Sequence, residues 1–192
     1  ISTGVADLDD IQLALDTCYK EGNYDISLLK CTSEYPATYE QANLLTIPDM
    51  IHRFGIPVGV SDHTMGSLVP IVAVSLGATI VEKHFILSRT NGGPDSAFSM
   101  EPNEFREMVD SIRNVERALG NVKYDITDYQ RGKRRSLYAR TDIHCGDVFT
   151  DQNVGSYRPG VGLSPQYWDQ IMGKTCKREI VKGDVLRQED LK

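Results

Sequence analysis

Residues 55–64 are Gly-Ile-Pro-Val-Gly-Val-Ser-Asp-His-Thr, a short apolar run that ends in polar residues. A run of this length, bounded by glycine, predicts a buried strand. Two similar runs lie at residues 26–32 and 79–85, and a helix-like segment closed by glycine precedes each of them. Strands that alternate with amphipathic segments in this way are typical of βα units around a parallel sheet.

The next segment carries the clearest helical pattern in the chain. Pro102 lies near its start, Gly120 follows its end, and apolar residues recur on one helical face between them. The opening residues 1–4 resemble the end of a further strand, which brings the total to four strand–helix units. We therefore expect residues 1–120 to form an α/β domain, the C-terminal half of a (β/α)8 TIM barrel, and the chain to be a fragment of a longer protein.

The remaining residues predict a second, different module. From residue 121 to residue 135 the periodicity is lost and polar and basic residues dominate, which indicates a linker. Beyond it, the Gly-Asp pairs at 146–147 and 183–184 repeat at an offset of 37 residues. Each pair suits a tight turn between short strands, so residues 136–192 should form a small β-rich domain with internal pseudo-symmetry.

The composition excludes several classes of function. The 192 residues include 21 basic and 27 acidic side chains, for a net charge of −6, which argues against a nucleic-acid surface. No apolar run approaches the roughly 18 residues that a membrane-spanning helix needs, so we expect no membrane role. The four scattered cysteines form no CxxC pair and fit a reducing compartment, so we expect a cytoplasmic protein.

Chemistry-bearing side chains fall at the ends of two predicted strands. Strand alternation places Ser61 and His63 on one face of the first, and Glu82 and His84 on one face of the next. In a barrel, the C-terminal strand ends form the rim where catalytic groups collect. Two imidazoles on adjacent strands could share one transition-metal cation, but spacing alone favours two separate histidines that are structural or support a site from behind.

Two loops offer further candidates. The glycine-rich loop 88–95 follows the second of these strands, where a substrate-contacting loop would lie. Its Asp95 could bind sugar hydroxyls, or a metal through water, or could be a turn carboxylate. Segment 30–36 places hydroxyl groups at a strand end, which could bind a phosphate or carboxylate or belong to an ordinary turn. We expect the two other histidines, His52 and His144, on the surface.

In order and spacing, these segments resemble the signature of the sialic acid synthase family. The matching segments are Cys31-Thr-Ser-Glu-Tyr-Pro36, Ser61-Asp-His-Thr64, Glu82-Lys-His-Phe85 and Gly93-Pro-Asp95. Residues 136–192 are similar to the SAF module of that family, a β-clip fold that resembles type III antifreeze protein. Within the family, segments 33–37, 66–68 and 94–100 resemble the pseudaminic acid synthases most, with sialic and legionaminic acid synthases as alternatives.

The resemblance implies an enzyme of surface polysaccharide or glycan biosynthesis. Phosphoenolpyruvate would condense with an N-acetylated hexose aldehyde, either N-acetylmannosamine or a diacetamido-trideoxy sugar, giving a nine-carbon 2-keto acid and phosphate. His63 and His84 would bind a divalent metal, Mn²⁺ with Mg²⁺ or Co²⁺ as alternatives, which would polarise the aldehyde oxygen.

The resemblance also implies roles for the remaining site residues. Ser2, Ser33 and Ser61 match residues that hold the phosphate and carboxylate of phosphoenolpyruvate. Tyr35 and Asp95 match residues that contact the sugar. We expect Asp95 to be a catalytic residue as well.

Two further catalytic residues are implied, Glu82 and Arg158. Glu82 is a candidate for proton transfer or for supporting the neighbouring metal ligand. Arg158 matches an arginine of the SAF module that, in the family, reaches the active site of the other subunit and binds substrate there, so a domain-swapped homodimer is implied. The family's N-terminal half-barrel, which supplies further metal and phosphoenolpyruvate ligands, is absent from this sequence. We therefore expect negligible synthase activity from the 192-residue chain alone.

Two alternatives to this function stay open at the level of sequence. One is another phosphoenolpyruvate-dependent synthase of seven- or eight-carbon keto acids, although those enzymes lack a SAF module. The other is a non-catalytic fragment that binds carbohydrate or mediates dimerisation.

Overall fold

The computed structural model describes residues 1–190 and divides into two compact units, Ile1–Asn121 and a second that begins at Val122. The first unit has two buried apolar clusters and the second has one, and no buried residue is shared between the units. Among the described residues, no helix is both long enough and apolar enough to cross a bilayer.

The first unit contains a parallel sheet of three strands, β1 (Leu28–Cys31), β2 (Val58–Asp62) and β3 (Val81–Lys83), paired in that order. The predicted strands are confirmed in place, but each is shorter than its apolar run. The opening residues also lie where expected, since Ser2 forms a parallel bridge with Leu29 of β1. The α/β class predicted from the sequence is thus confirmed.

Helices follow the strands in alternation. They are α1 (Leu8–Lys20), α2 (Thr46–Phe54), α3 (Leu68–Ser75) and α4 (Pro102–Leu119). The α4 helix has the predicted bounds because Pro102 occupies its first turn and Gly120 ends it with a positive φ of 50°. A short 3-10 turn, Arg89–Asn91, interrupts the loop between β3 and α4.

The core of this unit lies between the helices and one face of the sheet. Its buried members include Leu15 of α1, Ile47 of α2 and Ala73 of α3. Glycine is required at position 59 within β2, because a Cβ atom there would lie 2.5 Å from the carbonyl oxygen of Ile80. The strands therefore approach closely at the point where β2 begins to carry functional side chains.

The second unit is built from short β segments. The β4 strand (Ser136–Ala139) pairs antiparallel with β5 (Val154–Tyr157), and the short helix α6 (Trp168–Ile171) packs beside them. The predicted linker is not wholly irregular, because Asp128–Gly132 within it form the helix α5. Thr127 and Gln130 form a capping box at the start of this helix. That motif predicts a helix start, but the segment has no apolar periodicity, so the sequence pattern indicated a linker there.

The predicted pseudo-symmetry of the second unit is confirmed. Ile143 and Ile180, which are 37 residues apart in the sequence, exchange two backbone hydrogen bonds of 2.8 and 2.9 Å. The related glycines Gly146 and Gly183 both have positive φ, 100° and 93°, as their tight turns require. Pairing of equivalent residues with each other places a local two-fold axis between them. The unit's core lies around this axis and includes Leu137, Phe149, Val154, Ile171 and Leu186.

Candidate active site

Two histidines follow neighbouring strands at corresponding positions. The register pairs Ser61 of β2 with Glu82 of β3, so His63 and His84 come two residues later on adjacent strand ends. Their ring centroids are 5.1 Å apart. The structure therefore brings together the two imidazoles that strand alternation placed on one face.

The first imidazole is held in one orientation. His63 is buried, and its Nδ1 atom lies 2.7 Å from the carbonyl oxygen of Thr32. Because a carbonyl oxygen only accepts hydrogen bonds, Nδ1 carries a proton and donates it here. In the neutral ring this leaves Nε2 with a free lone pair, which is the form that binds a metal.

The second imidazole faces a carboxylate. Nδ1 of His84 lies 3.6 Å from Oδ2 of Asp95, and both side chains are partly exposed. A carboxylate behind a histidine is the usual outer partner of a metal-binding imidazole, since it orients the ring and leaves Nε2 available. The structure thus places Asp95 beside one candidate ligand.

These two rings fit a divalent cation as part of a ligand set. Within residues 1–190 no group of three or more His, Cys, Asp or Glu side chains is close enough to hold a metal ion. Two imidazoles leave coordination positions for water, substrate or other protein groups, as catalytic metal sites require. Nitrogen ligands suit transition metals such as manganese or cobalt better than calcium.

Two aromatic rings flank the imidazoles. Tyr35 lies 4.3 Å from His63 between centroids, and Phe98 lies 4.9 Å from His84. Tyr35 is 55% exposed, whereas Phe98 is buried. Phe98 was not among the site residues predicted from the sequence. A large apolar residue in a loop of small and polar residues indicates that its side chain is buried against a neighbouring element, here beside His84.

A cavity of about 450 Å³ opens beside these groups. It is lined by Ser2, Ser33, Tyr35, Ser61, His63, Glu82 and His84, together with Gly4, Val5, Ala6 and Cys31. Every sequence-predicted site residue of the first unit except Asp95 therefore lines this one cavity. Asp95 lies outside the lining and faces His84, which belongs to it.

A short hydrogen bond crosses the floor of the cavity. The Ser61 hydroxyl donates to Oε1 of Glu82 over 2.6 Å, and Ser61 is buried. A serine hydroxyl has one proton to donate, so in this arrangement it is committed to Glu82. An anion bound at Ser61 would have to replace the Glu82 carboxylate as the acceptor of this hydrogen bond.

The segment after β1 is held in place by Lys30. Its Nζ atom donates to the carbonyl oxygen of Cys31 at 2.9 Å and to the Thr32 hydroxyl at 3.2 Å. Burial lowers the pKa of Lys30, an effect that the thiol of Cys31 partly opposes. These bonds fix the strand end whose Thr32 carbonyl orients His63.

The loop after β3 is anchored to the start of α4 through Arg89. Its backbone N–H donates to Glu101 over 2.8 Å, its Nε donates to the Ser99 carbonyl over 3.0 Å, and its guanidinium pairs with Glu104. A backbone hydrogen bond from Glu101 and the contact with Arg89 lower the pKa of Glu104. These contacts bracket the loop that contains Asp95.

Arg158 lies in the second unit, where it is exposed. With Tyr138, Tyr157, Arg140 and Lys182 it lines a depression of about 380 Å³. The Tyr138 and Tyr157 rings meet edge to face, with centroids 6.3 Å apart. Cationic side chains beside aromatic rings form a surface suited to carboxylate or acetamido groups.

Hydroxyl, carboxylate and imidazole side chains gather at the carboxyl ends of the parallel strands, which is where α/β proteins of the barrel class place their functional sites. The NeuB family model matches residues 1–124, and the SAF domain model matches residues 134–192. The chain belongs to the NeuB family and carries a SAF domain, which confirms the resemblance seen in the sequence.

Relatives with known names agree with this assignment. The chain is 40% identical over 195 residues to pseudaminic acid synthase of Campylobacter jejuni, covering 100% of this chain and 57% of that protein. It is 35% identical over 194 residues to the N,N'-diacetyllegionaminic acid synthase of the same species, covering 98% and 58%. It is 32% identical over 197 residues to mouse N-acetylneuraminate-9-phosphate synthase, covering 100% and 55%. The chain thus spans little more than half the length of these relatives.

Solved structures show the same fold. A spore coat polysaccharide biosynthesis protein of Bacillus subtilis superposes with a TM-score of 0.60 at 30% identity, over 100% of this chain and 60% of that one. An N-acetylneuraminic acid synthetase of Leptospira borgpetersenii, solved with citrate, gives a TM-score of 0.62 at 33% identity, over 68% and 45%.

Proposed function

We propose that this chain supplies half of a TIM-barrel active site in which phosphoenolpyruvate condenses with an N-acetylated hexose aldehyde. The products would be a nine-carbon 2-keto acid of the sialic acid type and phosphate. The proposal rests on one observation above all, the pair of imidazoles whose Nε2 atoms remain available beside a cavity of hydroxyl groups. The names of the relatives support the same product class and favour pseudaminic acid.

His63 and His84 would hold the divalent cation, Mn²⁺ in our proposal, with Mg²⁺ or Co²⁺ as alternatives. When bound, it would supply Lewis-acid polarisation of the aldehyde oxygen and stabilise the alkoxide that forms there. The remaining work falls to the side chains of the chain itself. Tyr35, which is exposed beside His63, and Asp95, which faces His84, would bind the sugar hydroxyls and orient the aldehyde.

The serines would bind phosphoenolpyruvate. Ser2, Ser33 and Ser61 line the same cavity, and their hydroxyls would donate hydrogen bonds to the phosphate and carboxylate oxygens. Glu82 would accept a proton from the water that adds at C2 as phosphate departs. The bond between Ser61 and Glu82 would link the two roles, because the hydroxyl that donates to the carboxylate would have to turn to the anion when substrate binds.

Arg158 would complete the site of a partner subunit in a domain-swapped homodimer. Its exposed guanidinium could bind the acetamido carbonyl or the carboxylate with its planar fork. A subunit without its partner would then lack this arginine at its own site. We place the reaction in the cytoplasm, where phosphoenolpyruvate is available.

A substrate screen with the complete protein that carries this sequence tests the proposal. Phosphate release from phosphoenolpyruvate is measured with N-acetylmannosamine, with diacetamido-trideoxy hexoses, and with arabinose 5-phosphate and erythrose 4-phosphate as controls. We expect turnover with an acetamido sugar only, and fastest with a diacetamido-trideoxy sugar. Turnover with a control sugar phosphate would indicate a seven- or eight-carbon keto-acid synthase. Sugar binding without phosphate release would favour a non-catalytic carbohydrate-binding role.

A further inference from the structure

An ion pair lies behind the cavity, between the same two strands. Lys83 Nζ is 2.6 Å from Oδ2 of Asp62, and their side chains are 1% and 2% exposed. The register pairs these two residues directly. Because successive side chains of a strand point to opposite faces, the pair lies on the side of the sheet opposite to Ser61 and Glu82.

Core packing alone does not explain charges at this position. Removing two charges from water offsets most of their attraction, so apolar residues of similar volume stabilise a core equally well or better. The preceding register pair on this side of the sheet, Val60 and Val81, is apolar. The same face of the sheet therefore accommodates an apolar pair two residues earlier, and packing does not account for the charges of Asp62 and Lys83.

The polar contacts of the pair converge on Thr64. Asp62 Oδ1 accepts from the Thr64 backbone N–H at 2.9 Å, and Oδ2 accepts from its hydroxyl at 3.2 Å. Lys83 Nζ donates to the Thr64 carbonyl oxygen over 2.5 Å. Within the described part of the chain, each of these contacts therefore fixes the turn that follows β2.

That turn determines where the imidazoles lie. Asp62 and Thr64 flank His63 in the sequence, and Lys83 immediately precedes His84. The ion pair consequently holds the backbone on both sides of one histidine and ties it to the backbone just before the other. The carbonyl of His63 is fixed in addition by the N–H of Ala37, at 3.0 Å.

We infer that Asp62 and Lys83 are positioning residues that set the separation and orientation of His63 and His84 for a shared ligand. Neither side chain lines the cavity. The inference rests on the proposed function for the identity of that ligand, a divalent cation. The geometric part of the inference concerns the two imidazoles alone.

The test separates positioning from stability. The double variant Asp62→Leu with Lys83→Met replaces the pair by apolar residues and leaves no unpaired buried charge, so we expect a melting temperature close to that of the wild type. We expect its Mn²⁺ affinity, measured by electron paramagnetic resonance on the complete protein, to fall about 10- to 100-fold, as for other groups that orient metal ligands. The single variant Lys83→Met should lose both stability and affinity.

A second measurement needs no metal. In ¹⁵N NMR spectra of the histidine rings we expect His63 of the wild type to carry its proton on Nδ1, as its bond to Thr32 requires. The double variant should show a mixture of tautomers. Wild-type protein that binds no Mn²⁺ would remove the proposed metal site, while the tautomer comparison would still decide the positioning role.

Two controls complete the design. The Arg178–Asp190 ion pair of the second unit also has a buried carboxylate, so Arg178→Met should lower stability without changing Mn²⁺ affinity or the His63 tautomer. If the double variant does not fold, Thr64→Val takes its place: it removes the hydroxyl that donates to Asp62 but keeps the ion pair, so we expect weaker Mn²⁺ binding and a smaller fall in melting temperature than in Lys83→Met. Unchanged affinity and an unchanged tautomer in the folded variant would overturn the inference.

Discussion

Ser61 and Glu82 occupy directly paired positions on β2 and β3, and the serine hydroxyl donates a 2.6 Å hydrogen bond to the carboxylate. The bond occupies the only proton of a hydroxyl that we propose for phosphate binding. Binding of phosphoenolpyruvate and the state of Glu82 are therefore coupled, since a negative carboxylate competes with the anion for one donor.

This coupling predicts different kinetic effects for the two residues. Ser61→Ala should raise KM for phosphoenolpyruvate about 10-fold or more, because a hydrogen bond to a charged group contributes about 1.5–3 kcal/mol. Glu82→Gln should lower that KM by removing the competing charge, and should reduce kcat about 10²- to 10⁴-fold if the carboxylate transfers a proton. Steady-state kinetics of the complete protein give both values. An unchanged kcat in Glu82→Gln would assign Glu82 a structural role.

Metal binding should depend on both imidazoles. We expect His63→Ala and His84→Ala each to weaken Mn²⁺ binding by at least about 10-fold and to abolish turnover, whereas chelation of the wild type should be reversed by added Mn²⁺. His52→Ala is the matched control, because His52 is an exposed histidine on α2. Isothermal titration of apoprotein with Mn²⁺ measures the affinities. Full affinity in either site variant would contradict the metal assignment.

The role of Arg158 can be tested by mixing inactive variants. In a domain-swapped dimer, a His63→Ala subunit paired with an Arg158→Ala subunit has one site with both defects and one with neither. Refolding the two variants together should therefore restore about a quarter of wild-type activity, since half of the dimers are mixed and each has one intact site. Arg140→Ala is the control, because Arg140 lines the same depression as Arg158. This variant should keep wild-type activity without mixing. No recovery on mixing would mean that Arg158 acts within its own subunit, and an Arg158→Ala protein that is active by itself would mean that Arg158 has no role in turnover.

The second unit should show a pH-dependent contact between His144 and Glu179. Nδ1 of His144 lies 2.7 Å from the Glu179 carboxylate, and this hydrogen bond raises the pKa of His144 above its usual value of about 6.5. A backbone hydrogen bond from Cys145, and then His144, lower the pKa of Glu179. The contact therefore contributes fully between about pH 4.5 and pH 6.5; it is lost as the pH rises through the folded pKa of His144 and as the pH falls through the folded pKa of Glu179.

An NMR titration of the His144 ring measures this effect. Glu179→Gln should bring the pKa of His144 back towards its usual value, whereas Glu116→Gln in the first unit should leave it unchanged. The side chains of His144 and Glu179 are 71% and 66% exposed, so the rise in the pKa of His144 should be smaller in high salt. A wild-type pKa of His144 that equals the value in Glu179→Gln would show that the two groups do not interact in solution.

Much of the candidate site followed from strand alternation. The alternation of residues 59–63 and 80–84 placed Ser61, His63, Glu82 and His84 on one face, where the structure also places them, because the period of a strand is a local property. The same rule places Asp62 and Lys83 on the opposite face, but only the register of β2 and β3 pairs them. Phe98 and the Thr32 carbonyl could not be predicted in this way, since loop conformation decides what they contact.

The sequence by itself determined the order of strands and helices, the two-module organisation and the family, because periodicity, turn residues and spaced motifs are properties of short segments. Only the tertiary structure decided the register that joins Ser61 to Glu82, 21 residues away, and the approach of Thr32 to His63 across 31 residues. Those contacts depend on how the helices pack the strands together, including the close approach that glycine permits at position 59. The chemistry of the site thus comes from local sequence, and its geometry from long-range packing.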